Sequence, residues 1–363
     1  MTSQPHQWRA LLERIMLGQE SPGALYLPLA AAQAIYSAGA ALRNKAYDRA
    51  LISSHRAPCP VISVGGLTLG GSGKTPLTIK IAQELMPKKK VGILSRGYGQ
   101  QASEKVLVVS DGRNLCAPPP YSADEPYMVA KKLPGACVVT APNRRLGAMA
   151  LAEWFGVEVI ILDDGFGHRA MARDMDIVLV DEHTLDPARR QLFPLGYLRE
   201  PAGNLARADV AVIMVRSRED EERLEEWKEE IRKLAGGAMP VATARGAITG
   251  FARMDGQVVD SIPGPALAFC GIANPAGFAV SLMDAGVTLA GRLPFADHHQ
   301  YSSEDIRAIG REAHGLGAAS IVTTQKDAAR LEGLWNAPEL EDRLYVAQWE
   351  LKLDGFEDRW LEL

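Results

Sequence analysis

Short apolar runs recur along the chain, separated by stretches with helical periodicity. VISV at 61–64, VGILS at 91–95, KVLVV at 105–109, ACVVT at 136–140, VEVIIL at 157–162, DIVLV at 176–180 and DVAVIMV at 209–215 read as strands. The last three are nearly continuous in apolar residues, as expected of central parallel strands covered on both faces. Between them, Leu77, Ile81 and Leu85 mark one amphipathic helix. A second begins at Ala123-Asp124-Glu125-Pro126 and reaches about Lys132, and a third opens at Asn143-Arg144-Arg145. Strand and helix in alternation predict an α/β fold, a doubly wound and mostly parallel sheet with its ligand at the carboxyl ends of the strands. Residues 217–233, SREDEERLEEWKEEIRK, read as a charged surface helix without chemistry. After Ala235-Gly236-Gly237 the pattern restarts with strands at 241–245, 265–270, 287–292 and 320–324 and a hairpin near Asp255-Gly256, which predicts a second, smaller α/β lobe.

One stretch breaks the alternation. Residues 24–42, ALYLPLAAAQAIYSAGAAL, carry no charge, and Arg43, Lys45 and Arg49 follow. With Pro28, Gln33, Ser37 and Gly39 it is a poor spanning helix. Leu27, Ala31, Ala34, Ile35, Ala38 and Leu42 recur at helical spacing. That pattern suits a helix in a membrane interface with its cations near anionic headgroups. Pattern alone supports a soluble core helix equally well.

The strand at 61–64 runs into a glycine-rich turn, GGLTLGGSGKT, followed by Pro76. Glycines let successive backbone N–H groups face phosphate oxygens, and the next helix presents its positive end to the same anion. Thr68, Leu69, Gly70, Gly71, Ser72, Gly73, Lys74 and Thr75 therefore read as a nucleotide cradle. Lys74 would reach the β- and γ-phosphates, and the Thr75 hydroxyl would sit on Mg²⁺. The usual first glycine of such a loop is replaced by Thr68. A chance glycine-rich turn would not place strand, glycines, Lys-Thr and amphipathic helix in register.

The strand at 157–162 ends in Asp163-Asp164-Gly165-Phe166. A carboxylate at a strand tip is what the second metal-positioning element of a phosphate-loop enzyme requires. Turn-forming aspartates are the bland alternative; beside a phosphate loop, metal binding is preferred, and spacing does not choose between the two. Asp124-Glu125, taken alone, reads as capping and dipole compensation. His298 and His299 follow Pro294-Phe295-Ala296-Asp297 in the smaller lobe, where a carboxylate and a histidine on opposite walls of a cleft can share a hydroxyl proton.

Composition removes several classes. The chain has 363 residues, 47% apolar and 23% charged, with a net charge of −4, so it lacks the basic surplus of a general nucleic-acid binder. Cys59, Cys116, Cys137 and Cys270 show no C-x-x-C pair or metal spacing and read as reduced residues of a cytosolic protein. Glu13 and the lack of a compact apolar core near the start argue against a signal peptide.

In order, VGGLTLGGSGKTP, SRGYG, ADEP, PNRR, LDDGFGHR, DMDIVLVD, LGYLREP, FCGIANP, FADHH and TTQKDA resemble the tetraacyldisaccharide 4'-kinase (lipid A 4'-kinase) family, from the N-terminal helix to about Leu331. That family also carries threonine at the Thr68 position. The resemblance implies a P-loop kinase on the cytosolic face of the inner membrane, peripheral or monotopic. It would use ATP and Mg²⁺ to phosphorylate the 4'-hydroxyl of a tetraacylated disaccharide 1-phosphate, with no nucleic acid and no obligate protein partner. It implies that Asp124 is the catalytic carboxylate, that His298 works with it, and that Asp163 and Asp164 lie near Mg²⁺. Glu125, Ser95, Arg96, Tyr98, His168, Arg169 and Arg199 would surround the acceptor. Gly167 departs from the family's usual glutamine. Lys326-Asp327 is not N-K-x-D and receives no base-recognition role. The expected division is a membrane-docking segment at 1–50, a P-loop kinase domain at 51–240, a smaller lobe at 241–345 and a tail at 346–363. The rival reading is a dimeric ATPase of the partitioning or metal-insertion class, whose loop has lysine where this chain has Leu69.

Overall fold

A computed structural model describes residues 11–70, 73–272, 274–297, 299–331, 334–335 and 342–357. Gly71, Ser72 and His298 therefore lie outside the described residues. At the centre is β1 (Val61–Gly66), every residue of which is buried. It pairs in parallel with β5 (Val159–Asp163) on one side and β6 (Met175–Val180) on the other. Outward from β5 come β2 (Val91–Ser95), β4 (Cys137–Thr140) and the antiparallel edge strand β3 (Leu107–Asp111). Outward from β6 come β7 (Val210–Val215) and then β8 (Val241–Ala252).

The near-continuous apolar runs are explained by cover on both faces. Leu77, Ile81 and Leu85 of the Lys74–Leu85 helix, with Tyr127 and Val129 of the Asp124–Lys132 helix, pack on one side of the sheet. Ala148 and Leu151 of the Arg144–Phe155 helix pack in a separate cluster, and Trp227 and Ile231 of the Leu224–Ala235 helix fill a third. Parallel strands bring the ends of β1, β2, β4, β5, β6 and β7 to one edge, the edge predicted for a ligand.

The two lobes share a single sheet. β8 begins parallel to β7 at Val241 and runs on to Ala252, pairing antiparallel with β13 (Leu344–Asp354). Gly246 lies where a β-carbon would collide with the Trp349 ring, so only glycine permits that approach. β8 then turns through a hairpin at Gly256 into β9 (Val258–Val259), as expected near Asp255-Gly256. β13, β12 (Ser320–Thr324), β10 (Ala266–Cys270) and β11 (Leu289–Pro294) complete the order as parallel neighbours. The expected tail from residue 346 needs correction. Residues up to Asp354 form β13, and Leu351 is buried in the large lobe's core. The charged stretch at 217–233 is two helices, Arg218–Glu222 with a Ser217 capping box and Leu224–Ala235 closed by left-handed Gly236.

The N-terminal helix, Tyr26–Asp48, is amphipathic in its attachments. No part of its apolar window is buried, and Leu27, Ile35 and Leu42 are more than 70% exposed at 77%, 75% and 72%. Packing of this face into the core of the chain is thereby set aside. Its polar side holds the body of the protein: Gln33 Nε2 donates to Leu192 O at 2.8 Å and Tyr36 OH to Arg199 O at 2.8 Å.

Candidate active site

The cleft at the strand ends has a volume of about 1800 Å³ and is walled by both lobes and the N-terminal helix. β1 delivers the glycine turn to its floor. Thr68 is buried and bridges to Leu198, and Leu69 N donates to Tyr197 O at 2.8 Å, so the LGYLREP loop braces the turn where a first glycine is missing. Gly73 closes the turn at φ 103°, a left-handed conformation that a side chain would strain, and Lys74 and Thr75 begin the helix. Lys74 Nζ donates to Gly70 O at 3.0 Å and lies 3.9 Å from Asp164 Oδ1. Burial lowers its pKa, against the pull of Asp164.

β5 ends in the acidic pair, whose members differ. Asp163 accepts from Thr78 Oγ1 at 2.9 Å and from Thr75 Oγ1 at 3.4 Å. Burial raises its pKa to about 6, and the charges of Glu125 and Asp164 add to the rise. Asp164 sits at φ 55° and is gripped by both terminal nitrogens of Arg199, one at 2.9 Å. Burial acts upward on Asp164, but the Arg199 hydrogen bonds and Lys74 outweigh it and hold its pKa below the usual range.

Among the described residues no group of three or more His, Cys, Asp or Glu forms a closed metal cage. Mg²⁺ at a phosphate site needs only one or two protein oxygens beside phosphate and water. Thr75 Oγ1 and the Asp163 carboxylate meet that need, and the upward pressure on Asp163 is what a nearby cation would relieve. The residues fit the ion, with Asp163 beside Thr75 and Asp164 committed to Arg199.

Opposite the phosphate loop, Asp124 and Glu125 open the Asp124–Lys132 helix and both line the cleft. Each is paired to the smaller lobe's Gln325–Leu331 helix: Arg330 binds Asp124 and Lys326 binds Glu125. Asp297, next to His298, also lines the cleft. His299 is turned away to Asp305 at 3.2 Å and stacks near Phe295.

Ser95, Arg96, Tyr98, His168 and Arg199 line the same cavity. Burial, with Arg144, Arg173 and Arg96 nearby, lowers His168 to about 4. Arg169 is committed elsewhere, to Asp48 at 2.7 Å and the Asn44 carbonyl, bracing the N-terminal helix. Gly167 lies in the wall, its carbonyl accepting from Arg43 Nη2 at 3.1 Å, and a β-carbon there would stand 3.2 Å from Glu200 Oε1. Sequence reasoning passed over Arg144 as a helix opener. It is buried in the cleft wall with Nε lacking a hydrogen-bond partner among the described residues. A cationic cavity wall beside a phosphate loop and an acidic strand tip defines a P-loop phosphotransferase.

A sequence profile described as Tetraacyldisaccharide-1-P 4'-kinase matches residues 25–362. The tetraacyldisaccharide 4'-kinase of Anaeromyxobacter dehalogenans (strain 2CP-C) is 38% identical over 344 residues, 92% of this chain and 90% of that protein. That of Desulfotalea psychrophila is 38% identical over 299 residues, 82% of this chain and 86% of the relative. The crystal structure of LpxK from Aquifex aeolicus in complex with ATP has 30% identity and a TM-score of 0.74, covering 93% of this chain and 96% of that one. The chain belongs to the tetraacyldisaccharide 4'-kinase family. It is an ATP-dependent kinase of lipid A biosynthesis that works with Mg²⁺, and the dimeric ATPase reading falls away.

Proposed function

We propose that the γ-phosphate passes directly and in line to the 4'-hydroxyl of the tetraacyldisaccharide 1-phosphate, with Asp124 accepting the hydroxyl proton and His298 assisting it. The observation that carries this reading is a single cavity lined by Lys74, Asp163, Asp124 and the Arg96–His168 wall. Catalysis of this kind is positioning and charge neutralisation rather than covalent chemistry. Lys74 and the loop amides hold the β- and γ-phosphates. Thr75 and Asp163 hold Mg²⁺, which supplies neutralisation of phosphate charge when bound. Arg199 fixes Asp164 so that Lys74 keeps a nearby counter-charge without being captured by it, at 3.9 Å. Arg96, Arg144 and the neutral His168 suit a polar, anionic acceptor.

The same reading assigns the enzyme to the cytosolic face of the inner membrane. Leu27 and Leu42 are exposed on a helix that also forms part of the cleft wall through Ile35, Tyr36 and Arg43. Acyl chains can then stay in the bilayer while the sugar enters the cleft. The test is transfer of labelled γ-phosphate to the disaccharide 1-phosphate in detergent micelles. Label at the 4' position is expected, and label released only as free phosphate would refute the assignment.

A further inference from the structure

Arg330 is a buried charged group that the mechanism does not use. Arg330, 2% exposed at its side chain, lies on the smaller lobe yet reaches the proposed proton acceptor on the larger. Its Nε donates to Asp124 Oδ2 at 2.8 Å, and its Nη2 meets the same oxygen at 2.7 Å. Its Nη1 donates to the Gly271 carbonyl at 2.8 Å and to Asp327 Oδ1 at 3.1 Å. Asp327 is itself fully buried and held from several sides. Its Oδ1 accepts from Gly271 N at 3.0 Å and Tyr301 OH at 3.0 Å, and its Oδ2 from Thr324 Oγ1 at 2.6 Å. Gly271 is part of the device, since a β-carbon there would press on Asp327 Oδ1, Ala296 O and His299 at 3.1–3.2 Å.

A guanidinium with that many fixed acceptors has one orientation. We propose that Arg330 is a positioning residue for Asp124, seated on Asp327 and setting the direction of the acceptor carboxylate according to where the smaller lobe stands. The inference rests on Asp124 being the proton acceptor. A carboxylate free to rotate about its side-chain bonds would meet the 4'-hydroxyl in few of its orientations. One anchored through Oδ2 to the far lobe is aimed only when the lobes are in register. The Lys326–Glu125 ion pair one helical turn earlier runs between the same two helices. Lobe position and base geometry are thus one variable, and nucleotide binding on the large lobe is separable from it.

Among the described residues, Arg330 pairs with Asp124 and Lys326 with the neighbouring Glu125, both from the smaller lobe, and Lys74, Asp163 and Asp297 line the same cavity. Arginine next to an aspartate lowers its pKa by about 1–3 units. Loss of Arg330 therefore moves the acid limb of kcat upward.

The test uses the full chain in detergent micelles with Arg330→Met, Arg330→Lys and Asp124→Asn, following kcat, KM for ATP and the pH profile. The expected result for Arg330→Met is a kcat lower by about 10- to 100-fold, KM for ATP within about twofold, and the shifted acid limb. Arg330→Lys should restore the limb but not the full kcat. If Asp124→Asn is inactive while Arg330→Met keeps wild-type kcat and pH profile, Arg330 has no positioning role and the Asp124 assignment stands. If Asp124→Asn retains wild-type kcat, the assignment of the base fails and this inference with it. Should thermal unfolding show Arg330→Met to be unfolded, Arg330→Lys decides. Reduced kcat at unchanged KM for ATP supports positioning, and wild-type kcat overturns it.

Discussion

His168 shows how far a side chain's chemistry is set by its neighbours. Held at about 4 by burial and by Arg144, Arg173 and Arg96, it is neutral between that value and about 6.5, where its unfolded counterpart is charged. Between those values the unfolded chain binds the extra proton, so this contribution to stability is lost as pH falls from about 6.5 to about 4. Replacing His168 with Gln should flatten the fall in unfolding midpoint over that window, measured by thermal melts at fixed ionic strength. An unchanged pH slope would contradict the shift. Gly167 offers a second reading at this level. Glutamine at this position would enter space 3.2 Å from Glu200 Oε1, beside the Arg43 contact. Gly167→Gln is expected to raise KM for the lipid acceptor several-fold with KM for ATP unchanged, as steady-state kinetics would show. The phosphate loop was legible because its spacing is local and its glycines have a backbone purpose. Arg330 and Asp327 were not, because their partners lie in FCG and ADEP, far away in sequence, and no local pattern announces a contact of that range.

Individual elements repeat that division. The strands at the sheet centre were readable from continuous apolar runs, since cover on both faces leaves no polar alternation. β13 was not: in WELKLD, Leu351 and Leu353 alternate with Glu350 and Lys352, a period-two signal too short to stand out beside a continuous run. Leu351 is nevertheless core, so Leu351→Ala should lower stability by about 2–5 kcal/mol in denaturant unfolding, whereas a tail residue would leave the midpoint unchanged. The N-terminal helix was ambiguous because an amphipathic stripe does not say what covers it. Only with the body folded beneath it do the exposed Leu27, Ile35 and Leu42 show that this stripe is not core. Burying each such side chain contributes about 1.5–3 kcal/mol. Changing all three to Ser should weaken vesicle binding by more than about 100-fold in a flotation assay, with nucleotide binding retained. Deleting residues 1–50 is the blunter experiment, since it also removes Gln33, Tyr36, Arg43 and Asn44 from the loops they brace.

Across the whole molecule, one sheet carries both halves of the chemistry. β1 and β5 bring the phosphate loop and the acidic tip to an edge, and β8 continues past β7 to join β13 and the smaller lobe. That continuity keeps the Gln325–Leu331 helix against the Asp124–Lys132 helix, and with it the ion pairs that span the cleft. Alternation of strand and helix was enough to predict the ligand edge. It could not predict that residues near 124 and 330 would meet, because that depends on a strand order in which the chain's end returns to its middle. The central claim is that Asp124 takes the acceptor's proton in this shared cavity. It is tested most directly by kcat for Asp124→Asn with labelled ATP and the disaccharide 1-phosphate in micelles. A fall of about 100-fold or more with both KM values nearly unchanged is predicted, and a kcat within a few-fold of wild type would contradict it.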